Sequence, residues 1–419
     1  MKATVSQTQE PETQEILKPE FCPHRECVNH DRQTAAANPN WYYKHGTHGS
    51  LVRGSIQRFK CRSCGKTCST QTFSIHYWTH RTIDLKKLDQ QTTSSSGQRQ
   101  CAIALGASTN LVKNRTQRLA RNYLALFAAA LADFTIQEDC AFDGFESYLS
   151  SQYHPTNINL LVGSQSQAVY GITGTIMRRK GKMTDHQREF RAKIDTHWRP
   201  TPASLIESCE LLFRDMQSHL PLELREDFGP WVLSTDKHKA YRVALQRVAE
   251  LKDALKAGDI EHKRISSHRV RDTKNPLFAV NYIDRELRKD MADHVRETVK
   301  QPREMNMSMQ RLIIEAGAHN FRKSHRVSGR IDTRGCPTHG DVSGLTVSEA
   351  ARWQMSRLFT HRHVLSHLDK EEATGKPPQW IVDIWLQQYK NPPVVKFKSG
   401  EVSKLRVAGS AWCAKHLLV

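Results

Sequence analysis

The chain has no apolar run of transmembrane length, and residues 1–19 are polar, without the hydrophobic centre of a secretion signal. These absences predict a cytoplasmic protein. Acidic residues are few: 43 Asp and Glu stand against 62 Lys and Arg, a formal net charge of +19 over 419 residues. So large a surplus implies a polyanionic partner, nucleic acid before any other. A disulfide framework is missing as well. Four of the ten cysteines are spaced like metal ligands, and the others, Cys101, Cys140, Cys336 and Cys413 among them, stand singly as core thiols would. No internal repeat is found. Apolar residues make up only 38%, yet 14 Phe and 8 Trp leave material for a packed core and argue against wholesale disorder.

The length accommodates about two to four domains. Residues 1–20 read as a flexible tail, and 21–76 gather cysteines, aromatics and glycines without a helical period. Residues 82–128 are helical. From about 134 the pattern changes to short β-rich runs at 140–148, 157–163 and 168–176. A helical insertion follows, clearest at 204–220, then a strand at 231–236 and a helix at 239–257 closed by Gly258. Asn275-Pro276 is an N-cap followed by proline at the first helical position, and opens another helix. Residues 301–419 show no readable order beyond a small basic module bracketed by Pro377, Pro378, Pro392 and Pro393.

Cys22 and Cys27 form a C-x4-C knuckle, and Cys61 and Cys64 a C-x2-C knuckle followed by Gly65-Lys66. Two thiolate pairs from two tight turns supply the four tetrahedral ligands of a structural zinc. Gly65 permits the backbone to turn around the metal. Trp41–Lys44 and Ser55–Phe59 are the expected ribbon strands. A segment this small has little core of its own, so metal binding would supply its folding energy. His24, His30 and Cys68 are rival ligands; Cys68 sits where a core aromatic could sit and is left out of the set.

Residues 96–119 carry the pattern of a helix-turn-helix. Leu105-Gly106 ends one helix, and Ser108 caps a second whose inward stripe includes Leu111, Val112 and Leu119. If that second helix lies in a major groove, Lys113, Asn114, Arg115, Gln117, Arg118 and Arg121 could reach bases or phosphates. An ordinary helical hairpin would show the same apolar stripe.

Asp143 sits inside an apolar strand, in Phe142-Asp143-Gly144-Phe145-Glu146. Asp236 ends another, in Ser234-Thr235-Asp236-Lys237-His238-Lys239-Ala240-Tyr241. A carboxylate within a hydrophobic strand is costly unless something pairs with it. Two such aspartates on neighbouring strands could hold magnesium or manganese for attack on a phosphodiester. A third ligand should come from the helix after Asn275. Val280, Ile283, Leu287 and Met291 form its buried stripe. At about 100° per residue Asp284 falls at the stripe's edge, with Asn281 and Arg288 beside it. Glu286, Asp290 and Glu297 turn away, as a solvated charged face. Arg285, Arg288 and Arg296 are candidate phosphate contacts, as are His268 and Arg269, although a surface pair suits the latter two better. Tyr241 reads as core packing.

In this layout the chain resembles bacterial insertion-sequence transposases of the DDE class, over about residues 20–300. The resemblance implies a multidomain α+β protein: a zinc ribbon at 21–76, a helix-turn-helix at 82–128, and at 134–300 an RNase H-like α/β catalytic domain. That domain would have a mixed sheet with helices on both faces. It implies Asp143 and Asp236 as the first two catalytic acids, and a third within residues 281–288. There such families carry glutamate, whereas this chain offers Asp284 or Asn281. It further implies double-stranded DNA as partner, magnesium or manganese as cofactor, a dimer or higher assembly on DNA and association with the nucleoid. A helix-turn-helix regulator with a non-catalytic acidic domain is the alternative. A nuclease that does not rejoin ends is a third reading.

Overall fold

The computed structural model describes residues 17–50, 54–220, 229–295, 298, 300–325, 335–363 and 377–392. They fall into two compact units. The first comprises the described residues up to 82 together with 359–363.

In this unit β1 (Tyr42–Ser50), β2 (Gly54–Cys61) and β3 (Thr67–Ser69) form an antiparallel sheet in that order. Phe21, Trp41 and Phe73 pack with Cys22, Cys27 and Cys61 into one small core. A helix the sequence pattern did not reveal, α1 (Arg32–Ala37), begins where Asp31 accepts a hydrogen bond from the Thr34 N–H at 2.7 Å. It is short and buries only Ala35, too little to print a period on the sequence.

The second unit is mixed α/β. Its sheet contains β4 (Cys140–Leu149), β5 (Ser151–Gly163), β6 (Val169–Ile176), β7 (Trp231–Asp236) and β8 (Ile260–Ile265). The strand order is β6-β5-β4-β7-β8. The first three strands form an antiparallel meander, and β7 and β8 extend it in parallel. β5 starts six residues before the expected 157, because it runs through Pro155, which has no N–H for the ladder and reads as a strand break. Pro155 still contributes its carbonyl, which accepts from the Met177 N–H at 2.6 Å.

Twelve further helices belong to this unit among the described residues. They are α2 (Leu85–Thr92), α3 (Gln98–Ala104), α4 (Thr109–Leu131), α5 (Asp185–Asp195), α6 (Ser204–Gln217), α7 (Lys239–Arg247) and α8 (Ala249–Ala257). α9 (Phe278–Asp290), α10 (Met305–Arg322), α11 (His339–Ser343), α12 (Glu349–Arg357) and α13 (Gln379–Trp385) complete the set. No described helix is long and apolar enough to cross a membrane.

The expected helix over 239–257 is two helices, because Val248 is extended (φ −86°, ψ 109°) and buried between them. Gly258 closes α8 in the left-handed region at φ 88°, as expected of a C-cap glycine. The Asn275-Pro276 signal opens an Asx turn rather than the helix itself. The Asn275 side chain accepts from the Leu277 N–H at 2.9 Å, and α9 begins one residue later.

A core helix of this unit is α10, inside the stretch that had no readable pattern. It is buried from Met307 to Phe321 on all sides, polar residues included. A Cβ at Gly317 would lie 2.7 Å from Cε1 of Tyr123, so only glycine lets α10 approach α4 this closely.

Candidate functional site

The four thiols of the two knuckles meet in the first unit. All their sulfur atoms lie within 4.8 Å of one another, with Cys22 to Cys64 and Cys27 to Cys61 each at 3.6 Å. Tight turns hold them: the Gly65 N–H donates to the Cys61 carbonyl at 3.1 Å, and Gly65 sits at φ 69°, where an L side chain would be strained. Burial opposes ionisation of Cys61, but the backbone N–H groups of Cys64 and Ser63, with the Cys27 and Asn29 side chains, together outweigh it and draw the thiol down to about 7. Cys68 lies outside the quartet and is pushed up to about 12 by burial and by the neighbouring Cys61 and Cys64. His30 is also outside it. Its Nδ1 meets the Cys22 carbonyl at 2.7 Å and so steadies the first knuckle. Four closely grouped thiols form a site that could hold a zinc ion.

In the second unit, β4 and β7 are paired only as far as Phe142 opposite Thr235. Asp143 and Asp236 are the next residues on each strand, where the parallel pair has stopped exchanging hydrogen bonds and a crevice opens. Both line a cavity of about 230 Å³, as does Asn281 of α9.

Each acid is anchored. One oxygen of Asp143 accepts from the Gly144 N–H at 2.8 Å and from the Tyr241 hydroxyl at 3.1 Å. Asp236 accepts from the His238 N–H at 2.7 Å, while the His238 ring caps α7. Tyr241 is buried at the start of α7, as expected, and its hydroxyl also orients the first acid.

Asp284 joins the same charge cluster. Burial, with the charge of Asp236 acting in the same direction, raises the Asp143 carboxyl to about 6. Burial and the charge of Asp143 push Asp284 up to about 8, against the pull of Arg288 and Arg271. One oxygen of Asp284 is buried without a hydrogen-bond partner among the described residues. Val280, Ile283, Leu287 and Met291 are all buried, so the stripe that oriented α9 is real. The acidic oxygens are less tightly gathered than the thiols. Among the described residues, only the cysteine quartet brings three or more ligand atoms within 4.8 Å of one another.

Around the acids lie groups that sequence reasoning missed. Arg271 biases both Asp143 and Asp284, and His238 shares the cavity wall, as does Arg269, which the sequence had offered as a phosphate contact. Arg271 follows β8, an unrecognised strand, so nothing in the sequence tied it to the acids. Arg288 lies over the Phe145 ring at 4.5 Å and donates to the Glu146 carbonyl at 3.3 Å. Arg285 is exposed, its guanidinium over Tyr282 at 5.2 Å. Arg296 and Glu297 fall outside the described residues, as does Cys413.

Two expectations need correction. Glu286 is not on a solvated face: it is 6% exposed and ion-paired with Lys289 at 2.8 Å and with Lys323 at the end of α10. Its partner comes from a distant segment, which a helical wheel cannot see. Arg115 is not available to DNA. It is 2% exposed and stands three residues from Val112 and four from Leu119, on the stripe that α4 buries.

Of the other candidates on α4, Lys113 pairs with Glu304 at 2.8 Å and Arg121 lies over the Trp385 ring at 5.5 Å. Asn114 is exposed, and Gln117 and Arg118 are half-buried. The turn before α4 has the expected build: Gly106 is left-handed at φ 56°, and the Ser108 hydroxyl accepts from the Leu111 N–H at 3.2 Å. From Leu119 onward α4 is chiefly a core helix.

The chain matches no protein-family model and no curated protein.

Proposed function

We propose that the protein is a DNA transposase of the DDE class, which cuts DNA at the ends of a mobile element and joins them to a target. The observation that carries the reading is convergence: Asp143 and Asp236, distant in sequence, line one cavity, and the charge of Asp143 reaches Asp284 on α9. A mixed sheet with acids on two adjoining parallel strands supports an RNase H-like reading of this unit.

Asp143, Asp236 and either Asp284 or Asn281 would hold two magnesium or manganese ions, whose chemistry is to activate an attacking oxygen and stabilise the leaving one. The charge of Asp236 on Asp143, that of Asp143 on Asp284 and an unpartnered oxygen on Asp284 are what such a cation would relieve. The chain's own groups do the rest. Tyr241 and the His238 N–H keep the two strand acids in place, and Arg269 and Arg271 attract the phosphodiester. Water attacks first, and the freed 3′-hydroxyl then attacks the target. Strand transfer conserves the number of phosphodiester bonds, so no nucleotide triphosphate is consumed.

The zinc-loaded module and the start of α4, through Lys113, Asn114, Gln117 and Arg118, would bind the element's terminal repeats. Two ends must be held together, which calls for a dimer or larger assembly on DNA. The wider spacing of the acidic oxygens favours the other reading, a DNA-binding regulator without catalysis.

One assay separates the two: strand transfer with magnesium, on DNA flanking the gene, by wild type, Asp143→Ala and Asp236→Ala. Joined product from wild type alone is expected. Equal activity in all three would refute the assigned acids.

A further inference from the structure

We propose that the cavity is a nucleotide seat with two unlike halves, and that Asn157 recognises the base held in one of them. The proposal rests on the DNA-processing reading above. The strand order β6-β5-β4-β7-β8 lays the lining out from one side to the other. On the first side stand Met177 just past β6, Asn157 on β5, Gly144 and Glu146 on β4, and Leu205 at the start of α6. On the second stand His238 after β7 and Arg269 and Arg271 after β8. Asp143 and Asp236 mark the seam.

The first half offers apolar walls and hydrogen-bond acceptors, and a phosphate placed there would face the Glu146 carboxylate. The second half offers guanidinium groups. A nucleotide lying across the acids therefore has one favourable orientation, with its phosphate toward the arginines and its base toward Met177, Leu205 and Asn157.

Asn157 is 5% exposed, and its carboxamide oxygen is buried with no hydrogen-bond partner among the described residues. Buried acceptors are nearly always satisfied, so this one points to a donor supplied from outside the chain. Gly144 keeps the place open. A Cβ there would lie 2.6 Å from the Asn157 oxygen and 2.8 Å from its Cγ, closer than real side chains come. The residue after Asp143 thus lacks a side chain so that this carboxamide can lie over it. Carboxamides and carboxylates pair with the exocyclic amines of bases, and Glu146 stands directly opposite Asn157 across the β4–β5 ladder. The seat is for a base that carries an exocyclic amine.

The test maps the cut on DNA flanking the gene. Each base next to the cut is then replaced by an analogue without its amine: purine for adenine, hypoxanthine for guanine, 2-pyrimidinone for cytosine. Cleavage rates are measured with magnesium for wild type, Asn157→Ala and Gly144→Ala, and melting curves confirm the fold of each. At one position wild type is expected to lose about tenfold with the analogue. Asn157→Ala should cut both substrates equally well. Gly144→Ala, whose Cβ displaces the carboxamide, should match it, and the double variant should add nothing further. A wild type that cuts but is indifferent to the amine at every flanking position overturns the seat, as does Asn157→Ala that keeps the preference. The wild-type series needs no variant, so a misfolded one does not spare the proposal. A wild type that cuts no DNA overturns the underlying reading, and the seat falls with it.

Discussion

The cysteine quartet and the acidic crevice are both clusters of ligand-type side chains, but they are built in opposite ways. The quartet is local. Each pair of thiols comes from one tight turn, one before the three-stranded sheet and one between its second and third strands, and the surrounding core is small. The crevice is topological. Its acids come from β4, β7 and α9, brought together by the order of a five-stranded sheet whose core stands without them. The difference teaches that the first cluster should contribute stability when loaded, whereas the second should cost stability when empty.

The largest effect should follow removal of one thiol. Cys61→Ser is expected to abolish stoichiometric metal and unfold the first unit, since structural zinc contributes about 10–16 kcal/mol to domains of this size. Metal analysis and hydrogen exchange over residues 17–82 would read it. Protection that survives chelation would break the contrast at its strong end.

Next come the strand acids. Asp143→Ala or Asp236→Ala should lower strand transfer by about a thousandfold or more while leaving the fold intact. Circular dichroism alongside the assay would detect a structural cause instead.

A smaller effect concerns Asp284. Its carboxyl is raised to about 8 in the folded chain, above its ordinary value of 3.8. The folded state therefore resists its ionisation, and stability declines as pH rises between those values. Asp284→Asn should raise the melting temperature by several degrees at pH 7.5 in a chelator, and should shrink the stabilisation given by magnesium. No change in either quantity would remove Asp284 from the cluster.

Glu315 on α10 is a control outside the cavity lining. Burial, together with the charge of Asp290, lifts it to about 8 from 4.5. Glu315→Gln should flatten the loss of stability between pH 4.5 and 8 with no sensitivity to magnesium, which thermal melts at fixed salt would follow.

The smallest effect lies at the start of α4. Arg118→Ala should weaken DNA binding a few-fold and reduce the salt slope by about one. Arg115→Ala should instead lower thermal stability, because its side chain is buried.

What was legible in the sequence follows the same division. Cys22, Cys27, Cys61 and Cys64 declare themselves through spacing, and the strand Trp231–Asp236 through its apolar run. The stripe of α9 is legible because one face of that helix is buried and the other wet. β8 was not, since Glu261, His262, Lys263 and Arg264 suit an exposed sheet edge and carry no strand alternation. α10 was not either. A helix buried all round has no wet face to set a period, and its core polar groups, Gln310, Arg311 and Asn320 among them, look like surface. Glu286 and Arg115 were misplaced for a related reason: a charged side chain reads as exposed until its partner or its packing is known.

By itself, then, the chain determined the thiol quartet, the two strand aspartates and the face of α9, because neighbours in sequence set short turns and periodic faces. Only the tertiary structure decided that β4 and β7 adjoin and part beside Asp143 and Asp236, that Arg271 and Asn157 share their cavity, and that α10 is a core helix. The physical reason is that strand order and helix packing are settled by contacts between segments far apart in the chain, and no local pattern records them.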